Sequence, residues 1–161
     1  MKYSNSKIRR QDRLLTTELA DTLLKTGEYG VLSMQAEKNG GYGIPISYVW
    51  DEEQSIYLHC AIEGQKIELL KKCNNVSFCI VGKTNVVSNQ FTTEYQSIIL
   101  NCKASINIST DEKTNALRLL IKKYSPNEIK VGEKYIEKSF ERTQVIKLDI
   151  SEWSGKSKIL K

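Results

Sequence analysis

Three runs rich in β-branched and aromatic residues, joined by short polar turns, constrain the fold of this chain more than any other feature. The runs are Tyr29–Ala36, Gly43–Trp50 and Ser55–Cys60. Lys38–Gly41, which carries two glycines, separates the first two runs, and the acidic Asp51–Gln54 separates the second from the third. Sequential, turn-linked strands argue against a doubly wound parallel sheet, so the pattern predicts an antiparallel meander.

Helical and strand-like segments alternate through the rest of the chain. Four helices are predicted: from Thr16 or Thr17 to Gly27, at Gly64–Cys73, over 110–124, and from there through about Phe140. Three further strands are predicted: Val76–Gly82, Tyr95–Ile108 and Thr143–Ile150. The polar segment Lys83–Thr93 is predicted to cross the surface without regular structure. No linker divides residues 1–161, so we expect one α+β domain, mainly β: a small barrel with helices packed outside it.

The net charge of +5 lies at the two ends of the chain. Residues 1–13 carry +4 and residues 156–161 carry +3, which leaves −2 for the body between them. A nucleic-acid-binding domain normally has its basic excess on the folded face, so we expect two solvated tails and no nucleic-acid partner. Binding of nucleic acid through the tails stays open as a less favoured interpretation.

No membrane span or secretory signal is predicted. No apolar run approaches the roughly 18 residues that a bilayer requires, and the basic start of the chain is not followed by an apolar stretch. The four cysteines form no C-x-x-C pair, so they are predicted to be reduced core residues of a cytoplasmic protein. His59 is the single histidine, and no carboxylate stands at ligand spacing from it, so no metal site is expected.

The segment Tyr57–Lys66 is the best candidate for a binding site. A strand ends there, a loop carries Gly64, and a helix begins whose first backbone N–H groups attract anions. Lys66 in the first turn opposes the helix dipole, and a bound phosphate would remove that conflict. The alternative is a surface lysine whose flexible head leaves the helix end. His59 is likewise either a packed strand residue or a group placed near a ligand.

Several segments, taken in order, resemble the pyridoxamine 5′-phosphate oxidase-like flavoproteins, and are most similar to their nitroimidazole-resistance branch. The resemblance covers about residues 9–156 and depends on the following segments: Tyr29–Ser33, Pro45–Val49, Ile56–Ala61 followed by Gly64 and Lys66, Val76–Cys79, Phe91–Ser97, Lys123–Pro126 and Ile150–Lys156. Family members of this kind form a split β-barrel that dimerises and holds two FMN molecules between the protomers.

The resemblance also implies roles for individual residues. Lys66 would be the phosphate cation, and His59 would lie close to the flavin. The full set of implied cofactor-binding residues is Pro45, Ile46, Ser47, Tyr48, Val49, His59, Cys60, Ala61, Gly64, Gln65, Lys66 and Trp153. Further contacts from the partner protomer would come from Phe91–Ser97 and from Trp153.

The resemblance implies an FMN-dependent oxidoreductase that acts on a small molecule, with nitroaromatic or nitroimidazole compounds as the candidate substrates. Gln65 stands where the vitamin B6 oxidases carry an arginine, so pyridoxamine phosphate is not the expected substrate. No residue is required as a general acid or base, and His59 and Tyr48 are the titratable candidates for a catalytic role. The alternative is a non-catalytic module of the same fold that binds flavin or haem.

Overall fold

The computed structural model describes residues 1–36 and 40–160. The strands are β1 (Lys2–Tyr3), β2 (Tyr29–Ala36), β3 (Gly40–Trp50), β4 (Ser55–Ala61), β5 (Asn75–Val81), β6 (Asn85–Val87), β7 (Thr92–Ser105) and β8 (Thr143–Lys158). The helices are α1 (Thr17–Thr26), α2 (Gln65–Lys72), α3 (Thr110–Tyr124) and α4 (Ile129–Ser139). Lys38 and Asn39 of the predicted turn lie outside the described residues, whereas Gly40 and Gly41 belong to β3.

Six strands close into a ring. Its order is β8-β4-β3-β2-β5-β7, and β7 pairs with β8 to complete the ring. Every pairing around the ring is antiparallel. β1 adds to β8 in parallel, and β6 forms a hairpin with β7. The predicted class, mainly β with antiparallel strands and helices outside the ring, is confirmed.

The interior of the ring is apolar because inward and outward residues alternate along each strand. In β5, Val76, Phe78 and Ile80 are buried, while the residues between them are partly or fully exposed. α1 and α2 add buried residues such as Leu24 and Ile67 to this core. Thr16 caps α1 by accepting a hydrogen bond from the backbone N–H of Leu19, as predicted. The two helices therefore complete a core that the strands begin.

A second, smaller core lies outside the ring, beneath α3 and α4. It joins outward-facing residues of β3, β4 and β8 to the buried faces of the two helices: Val49, Tyr57, Val145, Ala116, Leu117, Leu120 and Ile136. α4 approaches α3 closely at Gly132, where an added Cβ would lie 2.6 Å from the Cδ1 of Ile121. The two helices thus cover one part of the outer surface. No helix in the described ranges is long and apolar enough to span a bilayer.

The predicted boundaries of the last strand and of the solvated ends are wrong. β8 continues past Ile150 to Lys158, because β7 pairs with it along nearly its whole length. The predicted basic tail therefore begins inside a strand. At the other end, β1 pairs with Glu152 and Trp153, and the Tyr3 ring packs edge-on against Trp153 with centroids 4.8 Å apart. These strand residues are mostly polar and are held in the sheet by pairing with a neighbouring strand. The sequence therefore has no apolar alternation there that would predict a strand.

Two smaller expectations also change. The segment Lys83–Thr93 contains β6 and the start of β7, so part of the predicted irregular excursion is a hairpin. Of the four cysteines, Cys102 is buried, whereas Cys60, Cys73 and Cys79 are only half-buried. Their side chains therefore do not all belong to the core as predicted.

Candidate functional site

The ring opens where β3 and β4 separate. The two strands pair over Tyr48–Trp50 and Ile56–Leu58. The preceding part of β3 pairs with β2, and the end of β4 from His59 onward pairs with β8. The strands therefore diverge at Ser47 and His59, which creates a gap in the wall of the ring at the predicted site.

Ser47 and His59 line a pocket, here called the α3–α4 pocket, of about 410 Å³. The gap forms its floor, and the two helices of the second core form its wall. The other lining residues are Leu117, Leu120, Ile121, Tyr124, Ser125, Tyr135, Ile136, Ser139 and Thr143. The structure thus brings two predicted site residues together with helical residues that the prediction did not include.

His59 lies on the same outward face of β4 as Tyr57, and its side chain is exposed in the pocket. The surrounding protein removes enough water to lower the pKa of His59 below its ordinary value of 6.5. The imidazole is therefore mainly neutral at pH 7. A neutral imidazole can accept a hydrogen bond at one nitrogen and donate at the other.

The pocket is bordered by a polar cluster that joins α3 to β3. The Lys123 ammonium donates to the carbonyl oxygen of Tyr48 at 2.9 Å and lies 3.8 Å from the centroid of the Tyr48 ring. The Tyr124 hydroxyl accepts from the backbone N–H of Tyr48 at 3.0 Å and lies 2.5 Å from the carbonyl oxygen of Glu28. Burial lowers the pKa of Lys123 to about 8. These contacts hold the C-terminal end of α3 at the point where β3 leaves β4.

The start of α2 has the features that a phosphate group requires. Gly64 precedes the helix with φ 127° and ψ 170°, a conformation that essentially requires glycine, and no side chain caps the helix. Lys66 is half-buried and lies close enough to Cys60 to lower the pKa of that thiol, against the larger effect of burial, which raises it. Exposed Gln65 and Gly64 leave this helix end accessible. The cation and the unpaired N–H groups thus lie together.

The predicted cofactor residues of β3 and β4 fall on two opposite faces, because side chains alternate along a strand. Pro45, Ser47, His59 and Ala61 lie on the outer face of β3 and β4. Ile46 and Cys60, in contrast, pack against the inner core. The outer residues and the α2 start are accessible to a ligand, whereas the inner pair supports them from behind.

Three predicted residues lie in a core. Tyr48 is fully buried, its hydroxyl donates to the carbonyl oxygen of Leu24 at 2.6 Å, and burial raises its pKa above the ordinary value. Val49 is buried in the second core, and Trp153 is only 2 % exposed. Their side chains therefore hold the fold. Neither the Tyr48 hydroxyl nor the Trp153 ring is therefore exposed to a ligand in this chain, and their predicted roles toward a flavin stay predictions.

Sequence reasoning missed the helical side of the site. The helical spacing of Leu117, Leu120, Ile121 and Tyr124 was visible, but it does not show which of them a neighbour leaves uncovered. Lys123 and Tyr124 stood inside a segment of the family resemblance without an assigned role. In the structure they connect the pocket to β3.

Comparison with known proteins places this geometry in a family. A sequence profile described as "Pyridoxamine 5'-phosphate oxidase" matches residues 16–157. A search of curated proteins finds no match.

Solved structures share the fold at low sequence identity. A "putative 5-nitroimidazole antibiotic resistance protein" from Bacteroides thetaiotaomicron has a TM-score of 0.76 at 18% identity, with 90% of this chain and 86% of that chain covered. An FAD-binding protein from Mesorhizobium loti has a TM-score of 0.61 at 15% identity, with 90% and 95% covered. An FAD- and haem-binding protein from Mycobacterium smegmatis has a TM-score of 0.68 at 18% identity, with 90% and 72% covered. By the profile match over most of its length, the chain belongs to the pyridoxamine 5′-phosphate oxidase family.

Proposed function

We propose that this protein binds FMN and acts as an oxidoreductase on nitroaromatic compounds, working as a cytoplasmic homodimer. The observation that carries the proposal is the position of Lys66 and Gly64 at the open start of α2, which follows the end of β4 directly in the chain. Family membership gives the class of cofactor. The local geometry fits its phosphate, because the first turn of α2 offers a cation and unpaired N–H groups, both of which attract an anion.

The ring system of a flavin requires a flat surface next to that phosphate. The outer face of β3 offers Pro45 and Ser47, and His59 lies across the gap. These residues carry small or neutral side chains, so a planar ring can approach the strand closely. When bound, FMN would supply the electron transfer, and the residues of this chain would hold and orient it.

A second copy of the chain is proposed to close the site. An exposed row crosses the outer face of the ring where α3 and α4 do not reach. Pairing of β3, β2, β5 and β7 aligns Pro45, Val31, Cys79 and Ile99 in this row, and Ile99 is 49% exposed. Phe91 at the end of the β6–β7 hairpin is 97% exposed. Exposed apolar rows of this kind are typical of protein–protein contacts.

Flavin titration with a charge-removing variant tests the proposal. We expect Lys66→Ala to weaken FMN binding about 10- to 100-fold, since a hydrogen bond to a charged group contributes roughly 1.5–3 kcal/mol. The matched control is Lys71→Ala, which removes the same charge from the last turn of α2, where Lys71 pairs with Glu68 at 2.8 Å. The measurement is quenching of flavin fluorescence.

Three results would contradict the proposal. The first is purified protein that contains no flavin and does not bind added FMN. The second is an equal loss of affinity in Lys66→Ala and Lys71→Ala. The third is bound FMN that reduces no nitroaromatic compound with NADH or NADPH, which would leave a flavin-binding module without this activity.

His59 favours haem binding as a second candidate function. Neutral histidine is a common axial ligand of haem iron, and His59 is accessible in a pocket with a mainly apolar wall. Titration with haemin distinguishes this function. A Soret shift that disappears in His59→Ala would support it, and an unchanged spectrum in both proteins would exclude it.

A further inference from the structure

The α3–α4 pocket extends beyond the residues assigned to flavin. Leu117, Leu120 and Ile121 of α3 and Tyr135 and Ile136 of α4 form one wall, and Ser47 and His59 form the opposite end. Tyr135 is 66% exposed, which places it at the mouth of the pocket. At about 410 Å³ the pocket falls within the range of small-molecule sites, roughly 300–1,000 Å³.

The lining of the pocket carries no formal charge. None of its lining residues is Asp, Glu, Lys or Arg, and the lowered pKa of His59 keeps that side chain mainly neutral at pH 7. The Lys123 ammonium at the border of the pocket is already engaged by the carbonyl oxygen and the ring of Tyr48. A charged ligand would therefore lose its hydration there without gaining a free partner of opposite charge. The pocket therefore selects against ions, in contrast to the start of α2, where Lys66 favours an anion.

Polar groups lie among the apolar residues of the pocket, and two of them already have partners within the chain. Ser139 already donates to the carbonyl oxygen of Tyr135 at 2.7 Å, and Thr143 donates to that of Ser139 at 2.9 Å. Ser47 and His59 supply further polar groups from the strands, and Ser125 supplies one at the C-terminal end of α3. A ligand thus meets apolar and aromatic surface along the helices and polar groups next to the strands.

The two helices hold this pocket in shape without a ligand. Gly132 allows α4 to contact Ile121 directly, and Arg118 makes a two-point ion pair with Glu133 at 2.9 Å. The Lys113 ammonium donates to the carbonyl oxygen of Phe140 at 2.7 Å. These contacts join α3 to α4 and the segment that follows it, so ligand binding does not have to organise the wall.

We infer that the α3–α4 pocket binds a neutral aromatic molecule, with its ring against the helices and its polar group toward Ser47 and His59. Its role as the substrate subsite rests on the proposed function, because the polar end lies beside the residues proposed to contact flavin. The binding itself requires no flavin. The claim that the pocket binds an aromatic molecule and the proposed function can therefore be refuted separately.

The experiment measures binding of two matched probes to flavin-free protein by calorimetry. 4-Nitrobenzyl alcohol is neutral, and 4-nitrobenzoate is an anion of similar shape. We expect the neutral probe to bind at least tenfold more tightly. Ser125→Trp, which places a large side chain at the pocket rim, should weaken binding tenfold or more, and Tyr135→Ala should weaken it about three- to tenfold. Val131→Ala, on the same helix outside the pocket, should leave it unchanged.

Each outcome decides one of the two claims. Stronger binding of the anion, or affinities unaffected by both pocket variants with melting temperatures like that of the wild type, would overturn the inference. Displacement of the probe by FMN would also overturn it, since the flavin would then occupy the pocket itself. Probe binding without any FMN binding would retain the pocket and reject the proposed function. FMN binding without probe binding would do the reverse.

Discussion

The outer surface of the ring has two parts that share the same strand pattern but differ in what covers them. In both parts, every second residue of a strand points outward. Over β4 and the start of β8, the outward residues Tyr57 and Val145 are buried beneath α3 and α4. Over β2, β5 and β7, the corresponding row that includes Val31 and Ile99 stays partly exposed.

The difference shows that the same strand pattern serves two purposes. The covered part behaves as a core and contributes to the stability of the single chain. The open part contributes little to that stability and is available for contacts outside the chain. The candidate site lies at the border between them, where Ser47 and His59 leave the paired region of β3 and β4. A ligand at this border can contact the helices and, in the proposed dimer, a second protomer.

The largest expected effect comes from a substitution in the open part of the outer surface. Ile99→Lys places an ammonium group in the exposed row, and burying an unpaired charge in an interface costs several kcal/mol. We expect the dissociation constant of the proposed dimer to rise about a hundredfold or more, measured by analytical ultracentrifugation. Val131→Lys, on the exposed side of α4, introduces the same charge and should leave assembly unchanged. Equal behaviour of both variants would show that the row is not the interface.

A matched pair of valines compares the two parts directly. Val145 is fully buried beneath the helices, so Val145→Ala should lower the free energy of unfolding by about 2 kcal/mol through lost burial and a cavity. Val31 is half-buried in the open row, so Val31→Ala should cost less than about 1 kcal/mol. Urea unfolding at low protein concentration measures both. Equal costs would mean that the open part is covered under those conditions.

Lys123 at the border gives a smaller, pH-dependent effect. Its pKa is about 8 in the folded chain and near 10.5 when unfolded, so between these values the unfolded chain binds more protons. The stability of the wild type relative to Lys123→Met should therefore fall as pH decreases from 10 to 8 and then stay constant. Melting temperatures from pH 7 to 10 measure this, with Lys122→Met as the control for charge loss. A difference that does not change with pH would contradict the burial of this amine.

The sequence predicted the strands with strong alternation and the helices with clear caps. β2 has the predicted bounds, and α1 begins after Thr16 as expected. The second half of β8 was missed because its residues are polar, and only pairing with β7 makes it a strand. Within the candidate site, the combination of Gly64 and Lys66 at a helix start could be predicted from the sequence. The burial of Tyr48 and Trp153 could not be predicted, since burial depends on residues far away in the chain.

The sequence by itself determined which residues of each strand share a face, because side chains alternate with a fixed period of two. It also determined where a helix start could attract an anion, since that property is local to Gly64 and Lys66. Only the tertiary structure decided which outward face is covered. Residues 110–139 fold back over β4 and β8, and they leave Val31 half-buried and Ile99 exposed. The alternation of side chains identifies the residues that share a face, but the segment that covers this face comes from a distant part of the chain.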